Sequence, residues 1–334
     1  MHPLPALISL TPHLSLLAVG ARSRRIGLCP DRGVVVDDLD PPLALMLDEL
    51  ASPVEPGPLV DRAVHRGADE ATAVDLLHTL LDAGCVVDAA AARRVSGRRA
   101  QHVVLVVGDG PLAAGVVVGL VRAGVGTVHL DTDGTVTGGD LGTGLVDVDR
   151  GVRRDRAVAR AAARLVPGTV VTAVPQRLAP DLVVLADAQA PPPRLVERLL
   201  SDGVAHLPVR LRDGVGVVGP LVLPGRSACL RCLDLHRRDR DPDWPGVVVA
   251  LVGTTGAADP ACVVATAALG TAQALAALDD TAAPPALDAT IELDVGAATS
   301  LTRRWSRHPD CGCGGPRHPP ATCGVGDSRG TLER

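Results

Sequence analysis

Residues 103–131 read VVLVVGDGPLAAGVVVGLVRAGVGTVHLD, and the fold is decided there. The first five, 103–107, are all apolar, as expected of a strand buried on both faces of a parallel sheet. Gly108-Asp109-Gly110-Pro111-Leu112-Ala113 follows and matches the pattern G-x-G-x-x-G/A. In that pattern Gly108 allows the tight turn out of the strand. Gly110 lets a phosphate approach the backbone, and Ala113 lets the helix pack closely on the strand. Pro111 suits a first helical turn, and the spacing predicts a helix over 111–123 closed by Gly124. A second strand is expected over 127–130, ending at Asp131. That carboxylate stands about 20 residues past the loop, where it could hold a ribose hydroxyl.

Strand, glycine loop, helix and strand form one βαβ unit of a Rossmann-like α/β domain. Asp109 runs against the motif: a carboxylate inside the loop repels a phosphate unless it points outward.

Toward the N-terminus the pattern is different. Residues 24–29 (RRIGLC) and 33–36 (GVVV) flank Pro30-Asp31-Arg32 and predict a β-hairpin. Asp40 is placed to cap a helix that opens on Pro41 and Pro42. Further helices are expected near 58–66 and over 69–82, then a short strand at Val86-Val87. Hairpin, three helices and a strand make a winged-helix arrangement over 1–90. Residues 91–101, rich in arginine and without apolar periodicity, read as a linker, though the alanines before them could extend a helix. The α/β domain is expected over 102–313, and 314–334, rich in Gly, Pro and Arg, as a disordered tail.

Composition narrows the function. The chain has 334 residues, 46% hydrophobic, with formal net charge −5. It has no Lys, Asn, Phe or Tyr, a bias that follows from GC-rich coding. Acidic balance and the lack of stacking aromatics argue against single-strand nucleic-acid binding. The apolar stretch 4–21 is interrupted by Pro5, Pro12 and His13 and has no basic residue before it, unlike a signal peptide. Residues 261–278 are apolar but rich in Ala, Gly and Thr and read as a buried helix, not a membrane span. A cytoplasmic protein is the expectation.

Two cysteine pairs carry the second chemical signal. Cys229-x-x-Cys232 and Cys311-x-Cys313 supply four thiolates, the set a tetrahedral structural zinc takes across a long loop. Four unrelated free thiols are the alternative. His236 and His308 stand nearby as alternative or neighbouring partners. Cys29, Cys85 and Cys262 fall in apolar stretches and are expected in the core. Cys323 lies in the tail.

Taken together, the glycine loop, the helix end Ala123–Gly126 and the D-x-D pair Asp131 and Asp133 resemble the adenylate-binding half of the ThiF/MoeB ubiquitin-activating-like family. The cysteine pairs resemble that family's zinc site, with C-x-C in place of the second C-x-x-C. The resemblance covers about 102–313 and implies a Rossmann-type body, a homodimer, and adenylation of a peptide or small-protein C-terminus with Mg-ATP. Gly108, Gly110, Ala113, Asp131 and Asp133 would line the nucleotide site. Arg154 stands in for the family's Lys, and Asp187 lies close to its Mg-binding Asp, offset by one position. Other parts depart from the pattern. Asp140 stands near the family's Asn, and no Arg occurs from 131 to 149, a segment holding Asp131, Asp133, Asp140, Asp147 and Asp149. A triphosphate needs cationic donors there. No Cys lies in the family's thioester loop, roughly 240–256.

Residues 24–88 resemble a PqqD-like peptide-recognition domain at the level of pattern. The fusion resembles the ThiF-like partner of azoline-forming cyclodehydratases, which binds a leader peptide and presents the substrate to a YcaO-type enzyme. The implied mode is strand addition at the hairpin 24–36. Three functions are thus in play: a non-adenylating peptide scaffold, an active adenylyltransferase, and a nicotinamide-dependent oxidoreductase. The last lacks a catalytic set, since Lys and Tyr are absent.

Overall fold

The computed structural model describes residues 3–29, 33–169, 171–172, 174–175 and 178–314. The chain separates into two units, Met1–Gly97 and Arg98–Arg334. The tail beyond residue 314, with Cys323, and the turn residues Pro30, Asp31 and Arg32 lie outside the described residues.

The first unit opens with β1 (Ile8–Leu10), β2 (Leu16–Gly20), β3 (Ser23–Ile26) and β4 (Val34–Val36). Then come α1 (Pro41–Glu49), α2 (Pro56–His65), α3 (Glu70–Asp82) and β5 (Val86–Asp88). β3 and β4 pair antiparallel, Arg25 opposite Val35, and β2 completes a three-stranded sheet on the other side of β3. β1 pairs with β5 instead, Ile8 opposite Asp88. Neither β1 nor β2 is signalled in the sequence, because ISL is only three residues long and LLAVG carries no apolar–polar alternation.

Prolines preset the first turns of α1 and α2, and the Asp69 carboxylate caps α3 by accepting from the Thr72 N–H at 2.8 Å. Asp40 occupies the N-cap position of α1 without a side-chain cap bond; its carboxylate faces Arg22 at 3.5 Å. Ile8, Ile26, Met46, Leu47, Leu59, Leu77 and Leu80 fill the core. Arg24, buried on β3, grips Asp48 of α1 through two parallel bonds of 2.7 and 2.8 Å. Cys85 lies in this core. Cys29 does not: it is exposed, because it falls past the end of β3. α4 (Ala89–Arg99) runs through most of the segment that composition marks as a linker.

The second unit is built on one eight-stranded sheet. Its elements are β6 (Val103–Val107), α5 (Pro111–Arg122), β7 (Thr127–Asp131), α6 (Arg154–Leu165), β8 (Val171–Thr172), β9 (Leu182–Ala186), α7 (Pro193–Ser201), β10 (His206–Arg212), β11 (Val215–Val218), α8 (Leu230–Arg238), α9 (Trp244–Leu251), α10 (Pro260–Asp279), β12 (Ala289–Asp294) and β13 (Thr299–Arg304). The strand order is β13-β12-β11-β10-β9-β6-β7-β8. The run β10-β9-β6-β7-β8 is parallel, and β11 to β13 add as antiparallel strands.

Side chains alternate across the sheet. Val104, Val106, Leu182, Val184, Leu207 and Val209 enter one core with α5, α6 and α10. Leu105, Val183 and Leu185 enter a second with Leu199 of α7. α10 packs closely on α5: a Cβ at Gly119 would stand 2.6 Å from Thr271 Oγ1, so the contact requires a glycine. Among the described residues α10 is the one helix long and apolar enough to cross a membrane, and half of it is buried within the protein. Within the second unit Arg99 pairs with Asp279, at the end of α10, through bonds of 2.7 and 2.5 Å.

His206 begins β10 fully buried. Its Nδ1 bonds the Val204 carbonyl at 3.0 Å, and its Nε2 has no partner. Burial holds this imidazole below its ordinary value of about 6.5. Its contribution to stability is therefore complete above that value and lost as the pH falls through the lower folded-state value. Urea unfolding is expected to show a stability loss below pH 6.5, approaching ~1.4 kcal/mol per pH unit at full titration. His206→Leu should flatten that limb while changing stability at pH 8 by less than about 1 kcal/mol. An unchanged acid limb would contradict this.

Candidate functional site

The glycine loop leaves the C-terminal end of β6, where open α/β sheets place their ligands. Gly108 donates its N–H to the Asp131 carbonyl at 3.0 Å, which ties the loop to the end of β7. Asp109 is exposed and turns outward. Its carboxylate accepts from the Asp133 N–H at 2.6 Å and from Thr132 Oγ1 at 3.1 Å. It therefore bridges the loop to the D-x-D segment instead of entering the cradle. Asp131 is half-buried and Asp133 exposed.

The free amides at the start of α5, donors of the kind that bind anions, are engaged by Asp187. This residue follows β9 with φ +68°, a left-handed backbone that an aspartate adopts at some cost. That turn aims the carboxylate at the helix N-terminus, where Oδ1 accepts from the Leu112 N–H at 3.0 Å and Oδ2 from the Ala113 N–H at 3.1 Å. The helix dipole and two amide donors favour the anion there. A Cβ at Gly110 would stand 2.6 Å from Asp187 Oδ1. Glycine at this position is what lets the carboxylate stay on the helix amides. Burial pushes Asp187 up to about 6 against the opposing pull of the Leu112, Ala113 and Gly110 amides.

The acid-rich segment 131–149 is not the uncompensated lining that its sequence suggests. It forms two 3-10 turns, Gly138–Asp140 and Asp147–Asp149, each stitched by its last aspartate. Buried Asp140 accepts from the Thr137 N–H at 2.7 Å and its hydroxyl at 2.9 Å. Buried Asp149 accepts from the Val146 N–H at 3.0 Å. The cations come from just beyond the segment. Arg154 reaches Asp140 at 3.2 Å, Arg160 and Arg164 reach Asp149 at 3.5 and 3.4 Å, and Arg150 reaches Asp147 at 2.5 Å. Arg154 also donates to the carbonyls of Asp133 and Thr135 and is itself buried. It is a fastener beneath the D-x-D loop, and its Nε has no partner.

The four cysteines come together. Sγ–Sγ distances are 3.7 Å for Cys229–Cys232, 3.5 Å for Cys229–Cys311 and 3.4 Å for Cys232–Cys313, and all four sulfurs lie within 4.8 Å of one another. Metal–sulfur bonds of about 2.3 Å in a tetrahedron separate the sulfurs by about 3.8 Å, so the cluster fits a metal ion. Burial pushes the Cys229 thiol up, and Cys313 to about 11, so four thiolates at this spacing need a cation. Among the described residues neither His236 nor His308 joins the set. The His308 N–H instead points at the Cys232 sulfur, and its ring pairs with Asp239 at 2.7 Å. Cys262 is buried in α10 beside Thr266. Residues 240–256, without a cysteine, carry the exposed helix α9.

The structural reading of the acidic turns has a direct test. Asp140→Ala would strand the buried Arg154 charge and is expected to cost about 3 kcal/mol in chemical denaturation. Asp147→Ala, whose side chain is 83% exposed, should cost less than about 0.5 kcal/mol. Similar small losses for both would contradict it.

No protein-family profile matches the sequence, and no curated protein matches it. Solved structures do resemble it. Escherichia coli MccB with ATP has TM-score 0.69 and 14% identity, covering 91% of this chain and 98% of that one. The microcin C7 biosynthetic enzyme MccB in complex with N-formylated MccA has TM-score 0.70 and 14% identity, covering 92% and 100%. PaaA has TM-score 0.59 and 13% identity, covering 88% and 99%. Such shares exceed what Arg98–Arg334 alone could supply. At this identity the likeness is one of fold, and the chain has the fold of MccB over most of its length.

Proposed function

We propose that this protein binds a peptide and presents it to a partner enzyme in modified-peptide biosynthesis, without adenylating the peptide itself. The observation that carries the non-adenylating half is the Asp187 carboxylate on the Leu112 and Ala113 amides, where a phosphate would have to sit. A nucleotide would have to displace a buried, doubly bonded carboxylate, and Arg154 is held by Asp140. The missing arginine between 131 and 149 agrees with this.

The peptide half is supported by likeness in fold to a protein solved with N-formylated MccA. In the first unit, β4 is an edge strand, with Val35 48% exposed. A leader peptide adding to that edge would gain main-chain hydrogen bonds along it. On this reading the unit is a winged-helix, PqqD-like recognition domain, the protein is a homodimer, and the partner is a YcaO-type enzyme.

The second reading, an active adenylyltransferase, is favoured by likeness in fold to a structure holding ATP. Gly108, Gly110, Ala113, Asp131 and Asp133 would then hold the nucleotide, with Arg154 on the phosphates and Asp187 on magnesium. Calorimetry with Mg-ATP separates the two readings. No binding is expected at millimolar nucleotide, and no pyrophosphate exchange with a C-terminal peptide. Exchange above background would establish the second reading.

We also infer that the Cys229, Cys232, Cys311 and Cys313 cluster holds a structural zinc, since four thiolates leave no open position for catalysis. Purified protein is expected to carry one zinc per chain by elemental analysis. Cys311→Ser should lose the metal and lower the unfolding midpoint by roughly 5–10 °C. Full stability in metal-free protein would contradict the assignment.

A further inference from the structure

On β10 the residues Leu207, Val209 and Leu211 enter the core shared with α5 and α10. Alternation puts Pro208, Arg210 and Arg212 on the opposite face. There the second unit holds a cavity of about 1600 Å³, lined by Arg210 and Arg212, by Leu230, Leu233 and Arg237 of α8, and by Trp244 of α9. Gly108 and Gly110 do not line it.

Arg210 is 6% exposed, and among the described residues its guanidinium has neither a hydrogen-bond nor an ion-pair partner. The acids within reach are engaged elsewhere. Glu292 pairs with Arg212 at 3.2 Å and Arg303 at 3.3 Å. Asp234 accepts from Trp244 Nε1 at 3.1 Å and lies 3.6 Å from Arg237. Arg237 itself lies over the Trp244 ring at 4.9 Å and near the Trp305 ring at 5.4 Å. Burial, followed by the charges of Arg237 and Arg212, pulls Arg210 down to about 10. Asp234 and Glu292 offset this only from a distance, so a guanidinium this buried beside two other arginines is costly to the fold, and a ligand bringing a counter-charge into the cavity would relieve it.

We propose that this cavity binds a carboxylate carried on an apolar body, with Arg210 as its anchoring fork and Arg212 and Arg237 beside it. Guanidinium and carboxylate match in bidentate geometry. Leu230, Leu233 and Trp244 give the apolar body a wall. The inference is independent of the peptide-presenting reading, because neither the glycine loop nor the first unit takes part.

The chain's two tryptophans, Trp244 and Trp305, both lie against Arg237, so intrinsic fluorescence reports on the site. Full-length protein titrated with N-acetyl-leucine is expected to show a saturable change with Kd near or below about 1 mM. N-acetyl-leucinamide, which lacks the charge, should bind at least tenfold more weakly. Inorganic phosphate, which lacks the apolar body, should also be weaker. Arg210→Gln should weaken N-acetyl-leucine at least tenfold, and Arg210→Lys less, since it keeps the charge without the fork. Arg210→Met, without ligand, should melt higher than the wild type. No saturable change, equal binding of acid and amide, tighter binding of phosphate, or a lower melting Arg210→Met would each overturn the proposal.

Discussion

The N-terminus of α5 presents amides that no residue of its own helix can satisfy, and the Asp187 carboxylate takes two of them. The arrangement couples the end of β9 to the start of α5, two points far apart in the chain. It depends on a left-handed backbone at Asp187 and on bare glycine at Gly110, where any side chain would meet the carboxylate. A nucleotide crevice is ordinarily defined by donors facing an absent phosphate. Here the donors face the protein. Burial outweighs the pull of the helix amides and raises the group to about 6, and at neutral pH it is still mostly ionised.

The same economy governs the neighbouring loops. Asp109 holds Thr132 and the Asp133 amide, Asp140 and Asp149 close their own 3-10 turns, and the arginines at and around the start of α6 balance them. The crevice is therefore neither a bare acidic surface nor a cationic cradle. The sequence displays the acids on the segment 131–149 but not the cations that fold back on them from the next helix.

Legibility followed periodicity. The run 103–107, the glycine loop and 127–130 announce β6, α5 and β7 because a fully apolar strand and a G-x-G turn have few other uses. The cysteine pairs announce their own meeting, since two close pairs suit one metal. β1 is too short and β2 too uniformly apolar to be legible, and Cys29 reads as core only because its neighbours are apolar. Asp187 is legible in the sequence only through its resemblance to the family's magnesium-binding aspartate, offset by one position; its hold on the start of α5 is not legible, because its aim is set by one dihedral angle. The polar side of β10, Pro208, Arg210 and Arg212 against Leu207, Val209 and Leu211, was present in the sequence. Nothing in that pattern says that α8 and α9 help enclose this face as a cavity.

Two anion positions thus stand in contrast. At α5 the protein supplies its own carboxylate to waiting donors, and at β10 it leaves a guanidinium without one. The first is the centre of the account, and nuclear magnetic resonance reaches it directly. The Asp187 carboxyl carbon should titrate near pH 6, and the Leu112 and Ala113 amide protons should follow the same transition and remain unmoved by millimolar Mg-ATP. An Asp187 that titrates near pH 4, with those two amides shifting on addition of nucleotide, would show the crevice open and contradict the account.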